Sequence, residues 1–136
     1  EVINALRKRK YQASIISINF SPIVKVIAER LGIDNVSCIG LEEKNGIFTG
    51  KVTTISKNFW FTDGNEDAIM KKAFLSSIRK AKAKSSESIA VISNEIFIPL
   101  ISYAGMSLAY CPSNKNLKDL ADKTISIQAE ILAIIE

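Results

Sequence analysis

Polar residues at the ends of two apolar segments are the residues of this sequence best suited to bind a ligand. Both segments are rich in β-branched residues, which predicts strands covered on both faces. Strand ends that face helix N-termini are natural binding sites for phosphate and other anions. The four candidate phosphate-binding residues, at or beside the ends of the runs 13–18 and 88–93, are Ser17, Asn19, Ser93 and Asn94. Two have an ordinary alternative: Ser17 as a turn or capping serine, and Asn94 as the cap of the next helix.

Other kinds of site are excluded by the residues that the chain lacks. There is no histidine, which removes histidine-based catalytic triads and every zinc site that uses histidine. Cys38 and Cys111 are far apart and fall in predicted strands, so a reduced cytoplasmic protein explains them better than a disulfide. These residue types therefore give no candidate for a histidine-based triad or a histidine-containing zinc site.

Alternating strands and helices must position the four candidates. Ser21 and Pro22 are typical of a helix start, Gly32 of a helix end, and the turn 44–46 of a β-hairpin. The spacing predicts a three-layer, Rossmann-like α/β fold, mainly parallel, with helices on both faces and one hairpin, over residues 1–136 as a single domain. The predicted strands are 13–18, 36–41, 47–53, 88–93, 107–111 and 124–127, and the helices are 2–10, 22–31, 66–84, 96–104, 115–122 and a C-terminal one.

Charge and hydrophobicity narrow the classes of partner. A hydrophobic fraction of 47% and a net charge of +4 indicate a folded protein. The basic clusters 7–10 and 79–84 fall at predicted helix ends, without an aromatic platform, so we expect no nucleic-acid binding. No uncharged apolar stretch reaches roughly 18 residues, so we expect no membrane span. A homo-oligomer or a partner chain stays open.

Three stretches, in this order, resemble the phosphoserine-phosphatase branch of the haloacid dehalogenase superfamily. The first is the strand 14–20 with the helix that ends at Gly32-Ile33-Asp34. The second is the hairpin 46–52 with a helix beginning near Lys71 and Lys72. The third covers 90–110 and then 117–122. The resemblance runs over nearly the whole chain and rests on order and spacing, since no single motif is specific.

The resemblance implies roles for particular residues. Ser17 and Phe20 match the family's serine or threonine and aromatic residue, while Ile18 and Asn19 replace its two glycines. Lys72 matches the family's phosphate-binding lysine, with Lys71 one register away; the alternative is a solvated lysine. A working relative hydrolyses a small phosphomonoester with Mg²⁺ through an aspartyl-phosphate, so a small phosphorylated molecule is the expected ligand.

Departures from the family pattern argue against catalysis. Ser93 and Phe97 occupy the positions of two aspartates that hold or support Mg²⁺, and Mg²⁺ requires hard anionic oxygens. Glu95 is the only acid left in that loop. The chain offers no Asp-x-Asp nucleophile, without which no aspartyl-phosphate forms. We therefore assign no catalytic residue and no metal ligand, and we expect no cofactor, with Mg²⁺ only if the domain is an active phosphatase.

Topology supplies a separate expectation. In the resembled fold the nucleophile strand lies between the strands 13–18 and 88–93, and this chain starts after it. Each backbone group left unpaired in such a gap costs roughly 1–3 kcal/mol. An upstream segment, another chain, or direct pairing of the two neighbours would satisfy these groups. We favour an upstream segment, which makes the chain the C-terminal portion of a longer one.

Three interpretations of function follow. The first is a phosphatase-like domain that is impaired or inactive but keeps an anion pocket. The second is an active Mg²⁺-dependent phosphomonoester hydrolase whose nucleophile lies in a segment outside this sequence. The third is a structural or interaction module without a ligand.

Overall fold

The architecture was taken from a computed structural model, which describes residues 1–53 and 66–136. Helices and strands alternate along the chain, as the sequence predicts. The helices are α1 (Val2–Lys8), α2 (Ser21–Leu31), α3 (Glu66–Ala81), α4 (Lys115–Leu120) and α5 (Glu130–Ile134). The strands are β1 (Ser14–Phe20), β2 (Asn35–Lys44), β3 (Ile47–Thr53), β4 (Ile89–Ile92), β5 (Met106–Tyr110) and β6 (Lys123–Ile125). A 3₁₀ turn (Ser85–Glu87) and a 3₁₀ helix (Glu95–Ser102) flank β4.

Two three-stranded sheets form the centre of the fold. The first has the order β1-β2-β3, with β1 parallel and β3 antiparallel to β2. The turn between β2 and β3 is made by Asn45 and Gly46, both with positive φ. The second sheet has the order β4-β5-β6 and is parallel throughout. The predicted α/β class, with parallel strands flanked by helices and one hairpin, is confirmed.

A gap separates the two sheets. Each sheet ends in a strand that has only one neighbour among the described residues, β1 in the first and β4 in the second. Yet Ile16 and Ile18 of β1 pack on the same core cluster as Ile92 of β4. The two edge strands thus share a core without sharing hydrogen bonds. Of the three expected solutions, direct pairing of these neighbours is not the one the structure adopts.

Helix α3 packs against both sheets. Met70 and Phe74 of α3 belong to one buried cluster with Ile92 of β4 and Ala109 of β5. One position before Met70, Ile69 packs on Ile39 of β2 in a second cluster. A helix whose apolar residues point to both sheets holds them together across the gap.

Two predicted elements differ in detail from the structure. The helix expected over 96–104 is the 3₁₀ helix, which contains Pro99. Proline has no N–H to donate to a carbonyl four residues back, and its ring crowds that carbonyl. The N-cap of α2 is Phe20 instead of the expected Ser21, which is the first helical residue. Gly32 ends α2 in the left-handed conformation, as predicted. No helix within the described ranges is both long and apolar enough to cross a membrane.

Candidate functional site

The end of β1 departs from regular pairing at the predicted phosphate residues. Ile16 pairs with Ser37 and Phe20 with Ile39, so four steps along β1 match two along β2. The residues between, 17–19, therefore bulge out of the ladder. Within the bulge the Ser17 hydroxyl accepts a hydrogen bond from the backbone N–H of Asn19 at 3.1 Å. Such bulges are common beside active sites, where they re-aim side chains.

The end of β4 presents the second pair of candidates. Ser93 and Asn94 are exposed and directly follow Ile92, which is only 1% exposed. The side-chain oxygen of Asn94 accepts a hydrogen bond from the N–H of Ile96 at 3.0 Å and so caps the 3₁₀ helix. The amide NH₂ of Asn94 is the part of this side chain that can donate to a ligand.

Core packing relates the two strand ends. Ile18, next to Asn19, and Ile92, next to Ser93, pack on one buried cluster. The polar residues at the ends of β1 and β4 therefore flank the gap between the sheets. Four of the five sequence-predicted binding residues lie at these two ends.

The fifth candidate, Lys72, lies on a different side of α3. Met70 is fully buried against the core cluster, whereas Lys72 is exposed. At 3.6 residues per turn, Lys72 lies about 200° around the helix from Met70. Its neighbour Lys71 places its ammonium 5.7 Å from the centre of the Tyr103 ring, close enough for a cation–π contact. α3 thus turns Lys71 towards the 3₁₀ helix and Lys72 towards solvent.

Tyr103 is a contact of α3 that the sequence did not suggest. Its hydroxyl donates to the carboxylate of Asp67 at 2.6 Å, and its ring packs beside Phe74. The hydrogen bond to Asp67, with smaller contributions from burial and the carboxylate charge, raises the pKa of Tyr103. The contact fixes the start of α3 against the segment that follows the 3₁₀ helix.

The residues at the expected metal position do not suit Mg²⁺. Phe97 is half-buried and packs on the core cluster. Glu95, the first residue of the 3₁₀ helix, lies between Ser93 and Phe97 in sequence, and its carboxylate accepts a hydrogen bond from the amide NH₂ of Asn114. Among the residues that the structure describes, no three Asp, Glu, His or Cys side chains lie close enough together to hold a metal ion. A hydroxyl and a phenyl ring in place of carboxylates are a poor donor set for a hard divalent cation.

Asn114, which precedes α4 and contacts Glu95, is a residue that the sequence analysis missed. Its side-chain oxygen accepts hydrogen bonds from the N–H groups of Asn116 and Leu117 at the start of α4, while its NH₂ group holds Glu95. An asparagine immediately before a predicted helix is a standard N-cap signal. The capping role was therefore readable from sequence, but the contact with Glu95 was not.

Parallel strands covered by helices, with polar loops at the strand ends, define an α/β domain of the kind that binds small anions at that edge. A sequence model of the haloacid dehalogenase-like hydrolase family matches residues 1–68. The phosphoserine phosphatase of Lactococcus lactis subsp. lactis (strain IL1403) is 31% identical over 112 residues, covering 81% of this chain and 47% of that protein.

Solved structures agree with the sequence comparisons. A phosphoserine phosphatase in its apo form superposes with a TM-score of 0.75 at 27% identity, over 99% of this chain and 64% of that one. The unliganded probable phosphoserine phosphatase from Vibrio cholerae has a TM-score of 0.81 at 17% identity, over 99% of this chain and 40% of that one, and supports the fold alone.

The chain belongs to the haloacid dehalogenase-like hydrolase family, as a phosphoserine-phosphatase-like domain. It spans about half the length of the curated relative that it matches. The resemblance stated from the sequence is thereby confirmed.

Proposed function

We propose that this domain binds a small phosphorylated molecule at the ends of β1 and β4 but does not hydrolyse it. The observation that supports binding is the bulge at residues 17–19, which takes three residues out of the ladder at the predicted phosphate site. The observation that argues against hydrolysis is the pair Ser93 and Phe97, which replaces the expected carboxylates.

The strand ends carry hydrogen-bond donors suited to phosphate oxygens. Ser17 and Ser93 supply hydroxyls, and Asn19 and Asn94 supply amide NH₂ groups. Backbone N–H groups released from regular pairing in a bulge are further donors. A phosphate bound there also requires a nearby positive charge. The family resemblance assigns this charge to Lys72, and Lys71 is the alternative.

Hydrolysis needs charges that these residues do not provide. Mg²⁺ in phosphoryl-transfer sites is held by carboxylates together with the substrate phosphate. Serine offers a neutral oxygen and Phe97 offers none. The carboxylate of Glu95 accepts a hydrogen bond from Asn114, the N-cap of α4. Use of Glu95 as a metal ligand would break this hydrogen bond.

Titration of the protein with inorganic phosphate, followed by NMR chemical shifts, tests the binding proposal. Ser17→Ala should weaken phosphate binding about tenfold, since one hydrogen bond to a charged group contributes about 1.5 kcal/mol. Ser102→Ala, at an exposed serine elsewhere, is the matched control and should leave the affinity unchanged. Comparison of Lys71→Ala with Lys72→Ala identifies the lysine that supplies the charge. Equal phosphate affinity in Ser17→Ala and Ser102→Ala would contradict binding of phosphate at the end of β1.

Release of phosphate from a generic aryl phosphate tests the second part. With excess Mg²⁺ we expect no release above the rate measured after chelation. Turnover that disappears on chelation would show that the domain is an active phosphatase instead.

The gap between β1 and β4 favours one rival, an active hydrolase completed by further chain. Relatives are longer than this sequence, and an extended segment parallel to β1 and β4 would pair with the backbone groups of both that have no strand partner within residues 1–53 and 66–136. On this proposal, residues 1–136 are a C-terminal portion, and the added strand precedes Glu1. The upstream reading frame decides: an apolar run followed by Asp-x-Asp, together with chelator-sensitive turnover of the longer protein, would support the rival.

A further inference from the structure

Three helices end at the same edge of the molecule. α1, α2 and α3 each lead into the first residues of a strand, β1, β2 and β4 respectively. The parallel pairing of Ser14 with Asn35 places the starts of β1 and β2 side by side. We call the region formed by these helix ends and strand starts the amino edge. It lies opposite the strand ends that carry Ser17 and Ser93.

Half of the positive charge of the chain collects at the amino edge. Nine of the eighteen Lys and Arg residues lie there, all of them exposed. They are Arg7, Lys8, Arg9, Lys10, Arg30, Arg79, Lys80, Lys82 and Lys84. The same segments contain the acidic residues Glu29, Asp34 and Glu87, and Glu136 forms an ion pair with Arg9. The net charge of this set of residues is +5, and that of the remainder of the chain is −1.

Helix dipoles do not cancel this charge. Basic residues near helix C-termini offset the partial negative charge of the terminal carbonyls, which is about −0.5 for each helix. Three helix ends therefore account for about −1.5. A surplus of about 3.5 positive charges remains after this offset.

A cavity of about 370 Å³ lies at the amino edge, beside the starts of β1 and β2. Lys80 from α3 and Arg7 from α1 line it, together with Tyr11 and Gln12. Asp34 is the single acidic residue of the lining. The volume is at the lower end of the range of small-ligand sites.

The two cationic side chains that line this cavity, Arg7 and Lys80, differ in their contacts. The guanidinium of Arg7 donates to the carbonyls of Leu31 and Gly32, both at 2.8 Å, and so holds α1 against the end of α2. Lys80 is exposed, and no ion pair of Lys80 is found among the described residues. Lys80 is thus the cation that can turn to a ligand without loss of a structural contact.

We propose that the amino-edge cavity binds a small anion that carries two or more phosphate or carboxylate groups. The Lys80 ammonium contacts one group, and Tyr11 and Gln12 donate hydrogen bonds. The surrounding basic residues attract the ligand through the summed field of this edge. A multivalent anion gains more from this field than a single phosphate. This site is separate from the strand ends of the proposed function.

Titration with tripolyphosphate, citrate and inorganic phosphate at low ionic strength tests the proposal, with ¹H–¹⁵N NMR as the readout. Tripolyphosphate or citrate should shift the amides of Tyr11, Gln12 and Lys80 and bind more tightly than inorganic phosphate. Lys80→Glu should weaken this binding at least tenfold. Lys51→Glu, with the same charge change on the exposed strand β3, is the control and should change affinity less than twofold.

Four outcomes would overturn the proposal. One is the absence of shifts at the amino edge with millimolar ligand. A second is an equal loss of affinity in Lys80→Glu and Lys51→Glu, which would indicate unspecific charge attraction. A third is shifts confined to Ser17 and Ser93, which would assign the anion to the strand ends. The fourth is binding of a short single-stranded oligonucleotide but not of tripolyphosphate, which would make this edge a nucleic-acid surface.

Discussion

Two buried serine hydroxyls should lower the stability of this domain, and their removal should raise it. Ser37 of β2 is fully buried and Ser77 of α3 is 7% exposed. Neither hydroxyl has a hydrogen-bond partner within the described structure. A buried polar group without a partner costs about 1–3 kcal/mol in proteins. Ser37→Ala and Ser77→Ala remove this cost.

The expected gain follows from opposing contributions. Loss of one oxygen atom leaves a void on the order of 10 Å³, which at about 24 cal/mol per Å³ costs about 0.2 kcal/mol. Ser77 lies inside a helix, where alanine adds up to about 0.5 kcal/mol of helix propensity. With the lower half of the range of about 1–3 kcal/mol for a buried hydroxyl without a partner, we expect each variant to raise the free energy of unfolding by about 1–2 kcal/mol.

Urea denaturation followed by circular dichroism measures these changes. Ser107→Ala is the matched control, because Ser107 is equally buried but its hydroxyl donates to the carboxylate of Asp122 at 2.7 Å. The control should lose stability. If Ser37→Ala or Ser77→Ala is destabilised by more than about 1 kcal/mol, the hydroxyl has a partner such as a buried water, and the reasoning fails.

Two further predictions concern single contacts. Hydrogen bonds from the hydroxyl and, to a smaller extent, from the backbone N–H of Ser107 hold the pKa of Asp122 below its ordinary value of 3.8. The ionised carboxylate therefore stabilises the fold above that pH, and this stabilisation is lost as the pH falls through the lowered pKa. In denaturant titrations below pH 4, the difference in free energy of unfolding between the parent protein and Asp122→Asn should therefore shrink. A Cβ on Gly105 would lie 2.3 Å from the carbonyl oxygen of Ser86. Gly105→Ala should therefore lower the free energy of unfolding by about 1–3 kcal/mol. A change below about 0.5 kcal/mol in the same assay would contradict this packing.

The fold was predictable where hydrophobic patterns and backbone chemistry acted locally. The apolar runs of β1 and β4, the left-handed stop at Gly32 and the Asn45-Gly46 turn are all found where the sequence placed them. The 3₁₀ helix was not predicted, since its apolar spacing is compatible with either helix type and Pro99 decides between them. Local patterns therefore gave the elements, while one proline changed the geometry of one of them.

The candidate site was less predictable because it depends on contacts between elements. Polar residues at two strand ends indicated Ser17 and Ser93, and the shared packing of Ile18 and Ile92 relates those ends in space. The orientation of α3 was not readable, because Met70, Lys71 and Lys72 follow one another and a shift of one residue rotates each by about 100°. Only the burial of Met70 fixes which lysine faces which neighbour.

The proposed loss of catalysis rests on two separate features: β1 and β4 each have only one neighbouring strand among the described residues, and Ser93 and Phe97 stand where the family resemblance places carboxylates. A strand placed between β1 and β4 would satisfy backbone groups and bring in the carboxylates of an Asp-x-Asp. It would not change Ser93, which follows β4, or Phe97, which lies in the 3₁₀ helix. Phe97 packs on the core cluster, and the carboxylate of Glu95 accepts a hydrogen bond from Asn114, so Glu95 could take the place of a missing carboxylate only by losing this contact. If an added strand completed the sheet, the cation would still lack the two carboxylates that the family resemblance places at Ser93 and Phe97, and hydrolysis would require the carboxylates of the added strand to suffice.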